Sequence, residues 1–472
     1  MSNFEVVIGL EVHTQLKTES KIFCSCSTEF ASRPNSNICP VCCGYPGVLP
    51  VFNKRALELA VRVSLALECK INQSIYFERK NYFYPDLPKD YQISQYKMPL
   101  GEAGILEFPS GKKININRVH LEEDAGKLLH KDDCSWVDFN RTGTPLLEIV
   151  SEPDMRSPQE AFDYLTYLKL ILQYIGASDC DMEKGSLRCD ANISLRKKGD
   201  TKLGTKVELK NMNSFKGIRV ALEFEAKRQA KAIEEGEGIT QETRLWDVEK
   251  SKTIVMRTKE QAHDYRYFPE PDLLDFSISS KLIEKEKALV GELPIERRKR
   301  FLKDYKIDQK EVDIILSSVW LADFFEQANK YYPKPGELSN WLLGPFLEQV
   351  NTLEKGFDSV KISAQKFAQV VKYFCEKKLN NLSAKKALSL SIATDQDIDS
   401  IIEKEGLRQV SREDQLSVFV EEAINENPKP VGEYLEGKVQ AVMFLVGQVM
   451  KKSKGKANPQ VVREMLKRRI EK

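Results

Sequence analysis

The 472-residue sequence contains no apolar run long enough to span a bilayer, and its opening residues, MSNFEVVIGLEVH, lack the basic-then-apolar layout of a secretory signal. Both absences point to the cytoplasm and away from a membrane partner. There are only four histidines and no G-x-S-x-G elbow, which leaves a Ser/His triad poorly supplied. Neither G-x-x-x-x-G-K-[ST] nor a complete G-x-G-x-x-G occurs, so no P-loop or dinucleotide fingerprint is available. If ATP is used, carboxylate-held magnesium must position it. Internal repeats and low-complexity segments are also lacking.

Net charge is small, at +2, and by itself predicts no polyanion partner. Its distribution says more. Residues 441–472 carry nine Lys/Arg and two Glu, so this tail holds +7 and the remainder −5. An acidic body with a basic tail suits a protein that holds a cation or a magnesium nucleotide in one place and a nucleic-acid backbone in another. Hydrophobic content of 41% and charged content of 30% fit a globular chain, and the length allows two or three domains. Ten cysteines in a reducing compartment read as thiols or metal ligands rather than disulfides.

The most distinctive stretch is RVHLEEDAGK, from Arg118 to Lys127. It packs His120, Glu122, Glu123 and Asp124 into five positions just after the alternating Ile114 and Ile116. Such groups repel one another unless a cation or a basic substrate sits among them. A charged turn in water is the plain alternative, and other strand-like stretches decide against it. FEVVIGLEVHTQL alternates with the period of a half-buried strand, placing Val7, Gly9, Glu11 and His13 on one face. Glu11 and His13 either point at water from an edge strand or converge on one metal. Glu148 sits inside the apolar run Leu146–Val150, where a carboxylate needs a metal or a cationic partner. Glu152 and Asp154 either extend this pattern or begin a turn.

Two further segments alternate in the same way. GSLRCDANISLR puts Arg188, Asp190, Asn192 and Ser194 opposite an apolar face, and GTKVELKNMNS puts Lys206, Glu208 and Lys210 on its polar face. Together these stretches predict an antiparallel sheet with one face on a core and the other lined by acids, imidazoles, cations and amides. Two divalent cations and a nucleotide phosphate chain would satisfy that mixture. Strand parity favours Glu122 over Glu123 as the inner ligand, whereas a bulge at Asn117-Arg118 would exchange them.

Cys24 and Cys26 form C-x-C, and Cys39 and Cys42 form C-x-x-C across a Pro/Asn loop. Two close thiol pairs predict a closed tetrahedral zinc knuckle, structural rather than catalytic; buried free cysteines are the alternative. Cys43 is left out of the set. The loop Arg79–Lys97 and the segment HDYRYFPEPD, from His263, mix aromatic residues with Arg79, Lys80, Lys89 and Arg266. Each is either a surface that stacks on bases and meets phosphates or a loop packed on the sheet. Residues 54–69 have helical periodicity. Ser157-Pro158-Gln159-Glu160 caps a helix over 161–175 that stops at Gly176, and another runs over 215–234. Beyond Leu293 the strand signals vanish and helical patterns rich in Lys and Glu take over. A new capping sequence at Ser411 and a final basic helix after Asn458-Pro459 close the chain, with Lys451, Lys452, Lys454 and Lys456 clustered at the break between the last two helices. These lysines suit phosphate neutralisation without sequence readout.

VIGLEVHTQL, the cysteine pairs, RKNYFYPDLPKDYQISQY, HLEEDAGK, PLLEIVSEPD, GSLRCDANIS, ELKNMNSF, HDYRYFPEPD and FLVGQVMKKSKGKANP together resemble the B subunits of the glutamyl/aspartyl-tRNA amidotransferases, over essentially the whole chain. The resemblance implies an α+β protein: a cradle-like catalytic domain on an antiparallel sheet at 1–292, an all-α domain at 293–408 and a small helical, tRNA-binding tail at 409–472. It implies a heterotrimer with an amidase-type A subunit and a small C subunit. Ammonia released by the A subunit would amidate a side-chain carboxylate of Glu-tRNA(Gln) or Asp-tRNA(Asn) that ATP has first phosphorylated. It carries magnesium roles to Glu11, His13, Glu122, Glu123 and Glu148, and second-site or ammonia-orienting roles to Asp190 and Glu208. Arg188, Lys206 and Lys210 are the nucleotide-binding candidates. Structural zinc would be held by Cys24, Cys26, Cys39 and Cys42, although some family members lack these cysteines. Arg79, Lys80 and Arg266 would face the tRNA acceptor end, and the tail lysines its body. A non-catalytic tRNA-binding subunit and a magnesium-dependent phosphohydrolase are the competing readings; ATP cleavage with and without Glu-tRNA separates the three.

Overall fold

The computed structural model describes residues 3–30, 33–131, 133–258, 265–354, 356–408, 413–453, 455 and 457–471. His263, Ser411, Lys454 and Lys456, all singled out above, lie outside the described residues. The chain forms two compact units, Met1–Arg297 and Arg298–Lys472.

The first unit is organised by a nine-stranded sheet. In chain order its strands are β1 (Phe4–Gln15), β2 (Lys70–Ile71), β3 (Gly101–Glu107), β4 (Lys113–Glu123), β5 (Pro145–Ser151), β6 (Leu187–Lys197), β7 (Val207–Lys210), β8 (Glu242–Asp247) and β9 (Lys252–Thr258). In space they run β9-β8-β7-β6-β1-β5-β4-β3-β2. Every pairing is antiparallel except β7 with β8. The first strand of the chain is therefore its centre, flanked by β5 and β6.

Alternation decides what each face does. Ile8, Leu10 and Val12 of β1, Leu121 of β4, Leu147 and Ile149 of β5, and Ala191 and Ile193 of β6 are fully buried in one apolar core. Helices α1 (Lys54–Ala66), α2 (Pro158–Tyr174) and α3 (Phe215–Glu234) contribute Leu59, Val63, Tyr164, Leu168, Ile218 and Leu222 to the same core. The residues between them on the strands, which are the chemically interesting ones, point the other way. Ser157 caps α2 by accepting from the Glu160 amide at 3.2 Å, with Pro158 in the first turn, and Gly176 ends it in the left-handed region at φ 67°. Ser214 caps α3 in the same way. A fourth helix, α4 (Ser280–Val290), packs on α1, where the buried Glu286 receives the guanidinium of Arg62 at 2.8 Å.

The second unit has only helices among its described residues. It contains two separate apolar cores, one drawn from residues 301–407 and one from 416–470. The helical pattern across Ser317–Ser318 is interrupted, because the Ser318 hydroxyl accepts from the Leu321 amide and starts a new helix, Val319–Tyr331. Pro345 lacks the amide that an uninterrupted α-helix uses, and Leu342–Phe346 adopts a π-turn around it. The last two helices, Ala441–Lys452 and Pro459–Ile470, flank the expected basic break, and Asn458 caps the second.

Candidate functional site

Residues paired directly across antiparallel strands share a face of the sheet. The register sets Arg188 of β6, His13 of β1, Glu148 of β5 and His120 of β4 in one row across four adjacent strands. Their side chains meet. One Glu148 oxygen lies 3.3 Å from Nε2 of His13 and 3.2 Å from Nε2 of His120, and Glu122, one pleat further along β4, brings an oxygen to 3.7 Å from His13. Ligand atoms of His13, Glu122 and Glu148 all lie within 4.8 Å of one another. Two carboxylates and an imidazole so placed can hold one divalent ion.

The electrostatics fit a site built to share positive charge. Burial opposes a charged imidazole, yet the hydrogen bond and charge of Glu148 overcome it and push the His13 pKa up to about 9. Burial likewise opposes ionisation of Glu148, but His120 and His13 hold its carboxyl well below the usual range. Glu11 stands beside this group rather than in it. Its carboxylate accepts from Asn192 Nδ2 at 2.8 Å, and burial together with the Glu148 charge raises its pKa. A cavity of about 290 Å³ opens next to it, with Gly9, Asn192 and Lys206 among its walls.

Glu122 and Glu123 part company on the pleat. A bulge does occur, but the register shift falls at Asn117, between the Arg118–Val150 and Ile116–Ser151 pairs. From Arg118 to Glu123 the alternation is unbroken, so Glu122 joins His120's face. Glu123, expected beside it, turns the opposite way; its carboxylate takes Lys89 Nζ at 2.5 Å and the Ile93 amide at 2.8 Å.

The expected second cation place is filled by the protein itself. Lys210 Nζ contacts Asp190 and lies 3.1 Å from Glu208, whose other oxygen accepts from Thr243 at 2.7 Å. Among the described residues, the only acidic group with metal-holding geometry is the one around Glu148. Arg188 donates to Asp124 at 2.8 Å, and Asp124 also accepts from Gln15 at 2.7 Å. Burial opposes its charge, but Arg188 and Arg141 lower its pKa. Sequence reasoning groups His120 and Asp124 with Glu122 and Glu123 as potential cation ligands but names neither as catalytic; for His120, shared parity with Glu122 is the available signal.

The two aromatic loops pack on each other at the edge of this site. Phe268–Pro269 pairs with Glu78–Arg79, and the Tyr267 ring stacks on Tyr96 at 4.5 Å with 11° between planes. Burial and the Glu122 and Glu148 charges raise the Tyr267 pKa. Arg79, expected at phosphate, is instead clamped by Glu270 at 2.7 and 2.8 Å, reaches Asp272 at 3.2 Å and lies 4.3 Å over Tyr91. Its charge is already matched. Lys80 sits 4.9 Å above Tyr265, and Arg266 is exposed. In the tail, Lys451 is exposed, whereas Lys452 is paired with Glu422 at 2.9 Å and Glu426 at 2.7 Å, so its phosphate role loses its free charge.

The four cysteines of the two pairs come together, their sulfurs all within 4.8 Å of one another. Cys39 and Cys42 sulfurs are 3.9 Å apart. A tetrahedron with metal–sulfur bonds of about 2.3 Å requires sulfurs about 3.8 Å apart. None is in a disulfide. A hydrogen bond from Cys24 and the Cys39 amide, with Lys21 nearby, outweigh burial and lower the Cys42 pKa to about 4. The donor set and spacing suit a metal such as zinc. The knuckle also anchors a β-hairpin, Lys127–Lys131 with Cys134–Asp138: the Asn35 amide donates to Asp138 Oδ1 at 3.0 Å, and Asn35 Nδ2 donates to the Val137 carbonyl at 2.9 Å.

Residues 6–284 match the family model of the GatB/GatE catalytic domain, and residues 323–470 match that of the GatB domain. The chain is 50% identical over 473 aligned residues to the B subunit of the aspartyl/glutamyl-tRNA(Asn/Gln) amidotransferase of Thermoanaerobacter pseudethanolicus, covering 99% of this chain and 100% of that protein. Proteins of the same name from Thermodesulfovibrio yellowstonii, at 48% with 98% of each chain covered, and Brevibacillus brevis, at 46% with 99% and 98% covered, are also similar. With both family models matched in order and near-complete mutual coverage of these relatives, the chain belongs to the B-subunit family of the tRNA-dependent amidotransferases.

Proposed function

We propose that this chain carries the ATP-dependent amidation step of an aspartyl/glutamyl-tRNA amidotransferase. The side-chain carboxylate of Glu-tRNA(Gln), Asp-tRNA(Asn) or both attacks the γ-phosphorus of ATP, and ADP leaves. Ammonia then attacks the acyl phosphate carbon; inorganic phosphate departs and the nitrogen loses a proton. Activation is required because a free carboxylate is a poor electrophile. The names of the relatives support both the substrate class and the need for companion subunits. An amidase-type A subunit supplying ammonia and a small C subunit complete the heterotrimer, working in the cytoplasm.

The observation that carries this reading is the convergence of His13, Glu122 and Glu148 from three strands onto one polar sheet face. These three residues, with Glu11 beside them, would hold magnesium. A divalent ion there supplies charge neutralisation for the triphosphate. Lys206, exposed and lining the neighbouring cavity, would meet phosphate oxygens. Asp190 and Glu208 already hold one nitrogen cation, that of Lys210, and are suited to orienting an incoming amine. Four thiolates leave a zinc ion no open position, so its role is to staple the knuckle. Lys80, Arg266 and Lys451, with Lys454 and Lys456, meet the tRNA backbone.

The test is amide formation on Glu-tRNA and Asp-tRNA by the reconstituted three-subunit complex, with the wild-type chain and with Glu148→Gln. The reading requires ATP-dependent amidation that the variant loses while still binding tRNA. Equal amidation by the variant would refute it.

A further inference from the structure

Lys21 is 1% exposed, a depth that lysine rarely reaches without an anionic partner. No carboxylate is paired with it among the described residues. Its ammonium instead lies 3.6 Å from the Cys42 sulfur and 3.3 Å from the Phe139 carbonyl oxygen. The position is fixed from both sides. The Lys21 amide donates to the Cys26 carbonyl at 2.9 Å, and its own carbonyl accepts from Asn53, the residue that caps α1, at 3.2 Å. Gly143, in the left-handed region at φ 79°, lies against the lysine stem: a Cβ there would stand 3.5 Å from Lys21 Cδ, at ordinary contact distance.

A dication held by four thiolates carries two excess negative charges. Left alone in a partly buried knuckle, that charge is costly, and hydrogen-bond donors to the sulfurs are the usual remedy. We propose that Lys21 is the built-in counter-charge of the knuckle: its ammonium donates to the Cys42 sulfur of the metal-loaded site, reduces the net charge from −2 to −1, and so sets how tightly the metal is held. Lys21 is a positioning residue in this role, acting through Cys42 and touching no substrate. The inference rests on the zinc reading above.

The experiment is metal competition on the full chain, using zinc against a chromophoric chelator and cobalt(II) as a spectroscopic reporter. Wild-type protein should bind one zinc and show thiolate-to-cobalt charge-transfer absorption; no metal binding by the wild type would overturn the zinc reading and this inference together. Given wild-type binding, Lys21→Met should weaken zinc 10- to 100-fold, and Lys21→Arg should restore most of the loss. In a Cys42→Ser background, Lys21→Met should have little further effect on metal. Should Lys21→Met not yield folded protein, Lys21→Gln, which keeps a donor but no charge, replaces it with the same expected weakening. Zinc affinities equal to wild type in the neutral variants would overturn the proposal with the zinc reading intact.

Discussion

Nε2 of His13 stands 3.3 Å from an oxygen of Glu148, and the same oxygen is 3.2 Å from Nε2 of His120. A single carboxylate thus balances two imidazoles brought from different strands. Glu148→Gln removes that charge without changing shape. Amidation should fall at least about 100-fold, the scale of losing one positioned electrostatic group at a reacting centre. Far-UV circular dichroism should be unchanged; a loss of activity accompanied by loss of sheet signal would assign Glu148 a folding role instead.

Protons and metal compete for His13. Its folded pKa, about 9, exceeds the ordinary 6.5, so protonation stabilises the ion-free chain; that contribution is complete below pH 6.5 and is lost as pH rises through about 9. A divalent ion needs the neutral imidazole. Manganese or magnesium affinity should therefore rise about tenfold per pH unit up to pH 9 and then level off. Calorimetric titrations between pH 7 and 10 would read this, and a flat profile would place the ion away from His13.

Adjacent glutamates should separate cleanly. Glu122→Gln should weaken the divalent ion strongly. Glu123→Gln should leave ion affinity within about threefold but cost roughly 2–3 kcal/mol of stability, because Lys89 loses a charged hydrogen-bond partner. Manganese binding and denaturant titration on both variants give the comparison. Equal loss of ion affinity would contradict the placement of the two side chains on opposite faces.

The two tail lysines at the end of Ala441–Lys452 differ in the same spirit. Lys451→Ala should reduce the slope of log K against log salt for tRNA binding by about one. Lys452→Ala should change it far less, since Glu422 and Glu426 already neutralise that ammonium. Filter binding across a salt series would distinguish them.

Much of the site was legible because alternation was unusually clean. Glu11 and His13, Arg188 and Asp190, and Glu208 and Lys210 could each be assigned to a polar face by counting in twos, and the register then aligned those faces. The cysteine spacings carried the knuckle in the same local way. What could not be read was which neighbour each charge would find. Arg79 and Lys452 looked like free cations, and only tertiary packing brings Glu270 to one and Glu422 and Glu426 to the other. Lys210 closing over Asp190 and Glu208 is a cross-strand contact of the same kind. The bulge was recognisable at Asn117-Arg118, but its position relative to His120 depended on pairing with β5.

The central place of β1 in the sheet constrains how its sequence can change in length. Removing or adding one residue between Val7 and Leu10 would exchange Glu11 and His13 with Leu10 and Val12, burying two polar groups in oil and presenting aliphatic side chains on the polar face. Relatives of any age should therefore vary in residue type along this segment while keeping its residue count, with indels confined to the loops or to the Asn117 bulge.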